Sequence, residues 1–78
     1  PRTTEEALWT RELSQNINDF LATEKELDRV LFVRRYFYCQ TCPEIAQALG
    51  MTQGQVKTRL SRGRDRLQKF LLSREVYL

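Results

Sequence analysis

Two helix-start signals lie close together in the middle of the chain, and they constrain the fold more than any other feature. Thr41 is followed three residues later by Glu44, and Thr52 is followed in the same way by Gln55. This Thr-x-x-Glu/Gln spacing is typical of a capping box, in which each side chain bonds the backbone of the other. Gly50, just before the second box, tolerates the left-handed conformation of a helix end. The spacing predicts two helices joined by a tight turn, which is the helix-turn-helix pattern.

A helical wheel of the second helix of this pair separates an apolar stripe from a polar ridge with basic flanks. At about 100° per residue, the core-facing stripe consists of Val56, Leu60, Gly63, Leu67, Phe70 and Leu71. The opposite ridge consists of Gln55, Thr58, Ser61, Arg62 and Asp65. The cations lie on the two flanks, Lys57 with Arg64 and Arg59 with Arg66. A helix in the DNA major groove needs hydrogen-bonding groups on its ridge and cations beside the two phosphate walls.

The charge of the chain is unevenly distributed. Residues 41–78 hold seven Lys/Arg and three Asp/Glu, a net charge of +4, whereas residues 1–40 hold six and seven, a net charge of −1. A polyanionic partner is therefore expected to dock on the C-terminal half. The alternative interpretation is a solvated basic helix face without a nucleic-acid partner.

The same helix-start spacing recurs at Thr3 and at Thr23, so every helix of the chain is expected to begin with a capping box. No alternating run or hairpin signal predicts a strand. The predicted helices cover about 4–21, 24–39, 42–49 and 53–72. We therefore expect an all-α, four-helix helix-turn-helix domain over residues 1–78, in the winged-helix-like DNA-binding class but without a wing. Because residue 1 is Pro, we expect a piece of a longer protein.

The first two helices should supply the rest of the core. The apolar stripe of the first consists of Trp9, Leu13, Ile17, Phe20 and Leu21. The second is apolar almost all round, with one face made of Leu27, Val30, Leu31 and Phe37 and the other of Phe32 and Tyr36. Such a helix is usually buried on several sides, which predicts a central position. Alternatively, Phe32 and Tyr36 form an exposed patch for a protein partner.

Two arginines, Arg34 and Arg35, interrupt this apolar helix. One is expected to pair with an acidic side chain such as Glu44, and the other to reach a DNA phosphate. The sequence leaves open which arginine does which.

The chain lacks the residue patterns of an enzyme or a metal site. It contains no His, and its only cysteines, Cys39 and Cys42, are too few ligands for zinc. We therefore expect two reduced thiols, a cytoplasmic location and no cofactor. The three glycines do not have the spacing of a phosphate-binding loop, so Gly54 and Gly63 are best explained by close packing or close approach of a partner. No apolar run is long enough to span a membrane.

Two stretches resemble region 4 of bacterial RNA polymerase sigma factors of the sigma-70 family. They are LFVRRYFY, from Leu31 to Tyr38, and EIAQALGMTQGQVKTRLSRGRDRL, from Glu44 to Leu67. Both are similar to the version found in small extracytoplasmic-function-like sigma factors of Firmicutes. The resemblance implies a domain that reads the minus-35 element of promoters and grips the beta-flap of RNA polymerase. Gly63 stands where the family usually has Ala, which is expected to loosen the helix by about 1 kcal/mol.

The resemblance also implies roles for individual residues. It assigns base contacts to Lys57, Thr58, Ser61 and Arg62, and phosphate contacts to Arg59 and Arg64. The assignment agrees with the wheel except at Lys57, which the wheel places on a flank. Together the helical wheel and the resemblance predict a base-reading set made of Gln55, Lys57, Thr58, Ser61 and Arg62. The predicted phosphate-contacting set consists of Thr52, Arg59, Arg64 and Arg66.

The expected partners are double-stranded promoter DNA and the RNA polymerase core, and an anti-sigma factor is a further candidate. We expect a monomer. Two alternatives stay open. One is a stand-alone helix-turn-helix regulator that resembles the output domain of a response regulator, although no separate dimerisation helix follows the reading helix. The other is a protein-interaction module whose basic face binds an acidic partner.

Overall fold

The computed structural model describes the backbone of residues 4–75 and the side chains of residues 10–75. Within this range the chain forms four α-helices, which are α1 (Thr4–Thr23), α2 (Glu26–Phe32), α3 (Cys42–Leu49) and α4 (Gln53–Ser73). No strand occurs among residues 4–75, so the expected all-α class is confirmed. The predicted capping box at Thr3 and the predicted packing of Trp9 lie outside the described side chains.

The two central capping boxes form as the sequence predicts. The Thr41 hydroxyl accepts from the Glu44 backbone N–H, and the Glu44 carboxylate accepts from the Thr41 backbone N–H at 3.0 Å. Thr52 and Gln55 repeat this arrangement at the start of α4, also with a backbone-to-side-chain distance of 3.0 Å. Gly50 ends α3 at φ 66°, in the left-handed region that glycine adopts at no steric cost. These local bonds end α3 at Leu49 and start α4 at Gln53, so only a short turn separates the two helices.

The prediction of a capping box at Thr23 is wrong. Thr23 is the last residue of α1, and its hydroxyl donates to the carbonyl of Phe20 at 2.7 Å. The next helix, α2, begins at Glu26 behind Lys25, which makes no side-chain capping bond. A hydroxyl within a helix can donate to the carbonyl one turn back. Because α1 extends to Thr23, its hydroxyl bonds Phe20 and does not cap the next helix.

The second helix was predicted to run as an ordinary α-helix to about residue 39, but α2 ends at Phe32. Beyond Phe32 the chain winds into one π-helical turn, Val33–Phe37, in which the Tyr38 N–H bonds the Val33 carbonyl at 3.1 Å. Cys39 then reverses the chain with a positive φ of 54°. A π turn takes up one extra residue, so side chains after Val33 point to a different side than a 3.6-residue period predicts. Phe37, predicted on the core face, is 61% exposed.

The core consists of two clusters that meet at α2. One cluster joins α2, α3 and α4 through Leu31, Ile45, Ala46, Val56 and Leu60. The other joins α1, α2 and α4 through Phe20, Leu21 and Phe32, with Ile17, Leu67 and Phe70 partly buried against them. The consecutive residues Leu31 and Phe32 thus belong to different clusters. α1 packs directly against α4 as well as against Phe32 of α2, so α2 does not separate α1 from the helix-turn-helix as the sequence predicted.

The apolar stripe predicted for α4 faces the core. Val56 and Leu60 are buried, and Gly63 lies against the edge of the Phe32 ring. Close packing, one of the two explanations considered for the glycines, is therefore correct at Gly63. At Gly54 the nearest heavy atom to an added Cβ is 3.9 Å away, so packing does not explain that glycine.

Candidate nucleic-acid interface

The outer ridge of α4 carries exposed polar side chains that have no partner among the described residues. Thr58, Ser61 and Arg62 of the ridge, and Lys57 on the flank beside it, are all exposed. None of the four forms a hydrogen bond or an ion pair with another described side chain. Because α4 is held rigidly by its buried opposite face, the ridge presents hydrogen-bonding groups and charge at fixed spacing. Such a ridge can bind a polyanion without first breaking an internal contact.

The residues of the second capping box have fewer free hydrogen-bonding groups than the ridge, because the cap uses some of them. The Gln55 amide oxygen accepts from the Thr52 N–H, and the Thr52 hydroxyl accepts from the Gln55 N–H at 3.1 Å. Gln55 retains its amide NH2 group, and Thr52 retains its hydroxyl proton. Both residues can therefore donate a hydrogen bond to DNA while the helix start stays capped.

The two basic flanks of α4 have different surroundings. On the first flank, the Arg64 guanidinium donates to the hydroxyl of Tyr36 at 2.9 Å. Tyr36 is 46% exposed and uncharged, so the charge of Arg64 is not neutralised by this contact. Lys57, on the same flank, is exposed. This flank keeps its positive charge available at the surface.

The second flank is occupied by carboxylates. Arg59 pairs with Asp28 at 3.2 Å. Arg66 makes a two-pronged contact with Glu24, with Nη2 at 2.8 Å from Oε1 and Nε at 3.1 Å from Oε2, and lies 3.6 Å from Asp28. The hydrogen bonds that Arg66 donates to Glu24 raise the pKa of Arg66 above its ordinary value, and burial opposes this effect. The two cations on this flank thus face two anions.

The structure also places the two arginines that follow Phe32. Arg34 donates to the side chain of Gln40 at 3.2 Å, and Arg35 donates to the Gln40 carbonyl at 3.3 Å. The pairing with Glu44, which the sequence analysis considered, does not form, because Glu44 is used by the capping box. Both arginines instead fasten the chain after the π turn.

The remaining features bear on other classes of site. Cys39 is exposed, Cys42 is half-buried, and both are free thiols. Among the described residues, no three potential metal ligands come together. No helix in the range 4–75 combines the length and the apolar content needed to cross a bilayer.

Sequence reasoning missed two residues of this surface, Glu24 and Asp28, and it considered a third, Tyr36, only for the core or for a protein partner. Each contacts a residue of α4 that lies 28 or more positions further along the chain. No spacing rule links residues so far apart. The available signal was the charge of α4. This helix carries more cations than carboxylates, so some of its cations have to find anionic partners elsewhere in the chain.

Comparison with known proteins agrees with this geometry. The family model described as Sigma-70, region 4, matches residues 25–67, which include α2, the π turn, α3 and most of α4. No curated protein matches the chain. The matched residues cover more than half of the chain and contain α3, the turn and the N-terminal two thirds of α4. Sigma-70 region 4 is a family of DNA-binding transcription domains rather than of enzymes, and this chain belongs to it.

Proposed function

We propose that the domain recognises the minus-35 element of promoters and, by contacting RNA polymerase, directs where transcription starts. The observation that carries this proposal is the exposed ridge of α4, where Thr58, Ser61 and Arg62 have no hydrogen-bond or ion-pair partner among the described side chains. The preceding turn and the two capping boxes supply the rigid mounting that a reading helix needs. As a subunit of the transcription machinery, the domain would act in the cytoplasm as a monomer.

Base reading is assigned to the N-terminal half of α4. Thr58, Ser61 and Arg62 form the ridge, and Lys57 stands at its edge. Arginine is well suited to recognise guanine, because its two donors match the O6 and N7 acceptors in the major groove. Gln55 contributes only its amide NH2 group, since its oxygen caps the helix.

Phosphate contacts are assigned to Thr52, Arg59, Arg64 and Arg66. Arg64 and Thr52 can make them with little rearrangement, since the partner of Arg64 is a neutral hydroxyl and Thr52 keeps its hydroxyl proton free. Arg59 and Arg66 have to exchange a carboxylate for a phosphate. We therefore expect the Lys57–Arg64 flank to contribute most of the sequence-independent binding energy.

The polymerase contact is assigned to the aromatic segment Tyr36–Tyr38. Tyr36, Phe37 and Tyr38 are 46%, 61% and 70% exposed, a row of large apolar surfaces at the end of the π turn. A neighbouring groove of about 480 Å3 is lined in part by Val30, Val33 and Tyr38. Exposed aromatic rows of this kind mark protein–protein contacts. The proposed occupant is an apolar segment of the polymerase beta-flap. An anti-sigma factor would compete for this segment or for the basic ridge.

The DNA part of the proposal is tested by selecting duplexes that bind the complex of this domain with core polymerase. The wild-type domain is expected to enrich one short motif. Arg62→Ala should cost about 1–3 kcal/mol on that motif and blur the preference at one base pair. Arg64→Ala should weaken all duplexes alike and flatten the salt slope by about one unit. An equal loss on every sequence for Arg62→Ala would refute its base-reading role.

The polymerase part is tested by capture of purified core polymerase or its isolated beta-flap on the immobilised domain. Phe37→Ser should abolish capture with little change in melting temperature, since its side chain is largely exposed. Leu72→Ser is the matched control, because Leu72 is 48% exposed but lies about 12 Å along α4 from Arg64, the contact of Tyr36. Absence of capture by the wild type, with duplex binding intact, would favour a stand-alone helix-turn-helix regulator.

A further inference from the structure

The two carboxylates that face the second flank of α4 are more buried than the arginines with which they pair. The side chains of Glu24 and Asp28 are 8% and 10% exposed, whereas those of Arg59 and Arg66 are both 44% exposed. The carboxylates therefore belong to the body of the fold, at the α1–α2 junction. The guanidinium groups of α4 contact them from the more exposed side.

This ion-pair cluster borders the reading ridge directly. A surface groove of about 960 Å3 is lined by Glu24 and Asp28 on one side and by Thr58, Arg62 and both paired arginines on the other. A DNA backbone running along this side of α4 would meet arginines whose charge is already balanced. Phosphate and carboxylate bind a guanidinium in the same two-pronged way, so they compete for it.

Among residues 10–75, no carboxylate occupies the opposite flank in this way. The contact of Arg64 is the neutral hydroxyl of Tyr36, and Lys57 is exposed. Sequence-independent affinity for DNA comes almost entirely from cations that neutralise phosphates. An acidic pair on one flank of a reading helix therefore lowers affinity for every duplex, while contacts from the ridge to bases are unaffected.

We propose that Glu24 and Asp28 determine specificity, by competing with DNA phosphates for Arg59 and Arg66 and so restraining sequence-independent binding. The inference rests on the proposed function, since it concerns the same DNA-facing helix. Arg59 and Arg66 then contact phosphates only on a sequence whose base contacts hold the helix in the groove long enough for the exchange of partners.

The test measures binding of the chain to an unrelated duplex and to its selected motif by fluorescence anisotropy, between 50 and 200 mM salt. The variants are Glu24→Gln and Asp28→Asn, which keep the shape and remove the charge. Asp28→Asn leaves Arg59 without a carboxylate, and Glu24→Gln leaves Arg66 only Asp28, at 3.6 Å. Each variant should steepen the slope of log K against log salt by up to about 0.9, which is up to about a 3.5-fold larger loss of affinity over that range. Unrelated duplexes should bind more tightly at 50 mM salt, and the ratio of motif to unrelated affinity should fall.

Two controls separate competition from fold support. Asp19→Asn also releases an arginine, Arg74, from a 2.6 Å pair, but Arg74 lies about 18 Å further along the axis than Arg62. It should leave the slope unchanged. The double variant Glu24→Gln/Arg66→Gln should return the slope of Glu24→Gln to the wild-type value, because the released cation is gone.

The outcomes separate a failure of this inference from a failure of the proposed function. An unchanged slope in both carboxylate variants, with a lower melting temperature, would mean that the carboxylates only fasten α4 to the body, and would overturn the inference alone. Should Asp28→Asn fail to fold, Glu24→Gln carries the test, since Gln still accepts a hydrogen bond from Arg66. A wild-type chain that binds no duplex, even when held by polymerase, would overturn the proposed function together with this inference.

Discussion

Phe32 presses the edge of its ring against the backbone of α4 at Gly63. A Cβ atom on Gly63 would lie 2.4 Å from Cε2 of Phe32 and 3.0 Å from its Cζ. The ring has little freedom to retreat, because it is buried and packs edge-on against Phe20 at a centroid distance of 5.8 Å. The glycine that looked like a loosening of the reading helix is therefore a requirement of this contact.

Gly63→Ala is expected to destabilise the domain, although alanine is the better helix former. The overlap with Phe32 should cost about 1–3 kcal/mol, and the gain in helix propensity returns at most about 1 kcal/mol. Chemical denaturation should therefore show a net loss of about 1 kcal/mol. Gly54→Ala is the control, since its added methyl would meet only the Thr52 hydroxyl, at an ordinary contact distance of 3.9 Å. This variant should be neutral or stabilising. A more stable Gly63→Ala variant would mean that the Phe32 ring moves freely.

At this scale, the sequence predicted which side chains of α4 are buried, but not how its cations are engaged. Burial follows from local periodicity, so Val56 and Leu60 could be assigned from the wheel alone. The pairing of Arg66 with Glu24 depends on how α1 and α4 come together in three dimensions, and no local rule contains that information. The contact with DNA itself stays a prediction for every residue of the ridge.

The two capping boxes are chemically unlike, although they have the same geometry. In α3 the side chain that returns to the cap is the carboxylate of Glu44, and in α4 it is the neutral amide of Gln55. The backbone N–H of Thr41, followed by its hydroxyl, lowers the pKa of Glu44 from its ordinary value of 4.5. A carboxylate whose pKa is lowered in the folded state stabilises that state above its ordinary pKa, and the contribution is lost as pH falls through the lowered value.

The start of α3 should therefore loosen in acid while the start of α4 does not. Following backbone amide chemical shifts by NMR from pH 6 to pH 3, we expect the Thr41 N–H to titrate with a midpoint below 4.5. The Thr52 N–H, whose partner cannot ionise, should stay flat over the same range. In Glu44→Gln the Thr41 titration should disappear. A Thr41 midpoint at or above 4.5 would contradict a carboxylate that accepts this hydrogen bond.

Helices with complete local signals were predicted closely, and helices without them were not. The predicted ranges for α3 and α4 differ from the observed ones by at most one residue, because a capping box fixes the start of each helix and a left-handed glycine ends α3. The start of α2 was misplaced because Thr23 can serve either as a cap for α2 or as a bonded residue in the last turn of α1. The π turn has no recognisable sequence signal, and it moved Phe37 to the surface.

On the scale of the whole molecule, stability depends on a junction of two adjacent residues. Leu31 is part of the cluster beneath the helix-turn-helix, and Phe32 is part of the cluster against α1. The helix α4 runs through both clusters, since Leu60 belongs to the first and Phe70 packs on the second. Neither cluster can open without disturbing α2 or α4, so we expect the described residues to unfold as one unit.

Leu31→Ala should therefore affect the whole domain. Truncating a leucine that is 1% exposed costs about 2–5 kcal/mol, a large share of what a chain of this size has. Circular dichroism should show one transition, lowered by about 10 °C or more. Leu72→Ala, in an exposed position, should change stability by less than about 0.5 kcal/mol. Two separate transitions in Leu31→Ala would show that the clusters are independent.

The hydrogen bond between Arg64 and Tyr36 connects two surfaces that would otherwise be independent. Tyr36 belongs to the aromatic segment assigned to the polymerase, and Arg64 belongs to the flank assigned to DNA. A protein that draws the tyrosine hydroxyl away leaves the guanidinium without a partner and ready for a phosphate. By thermodynamic reciprocity, a phosphate that takes the guanidinium makes the tyrosine easier to capture. Polymerase and promoter would then each strengthen the hold of the other, through one bond of 2.9 Å.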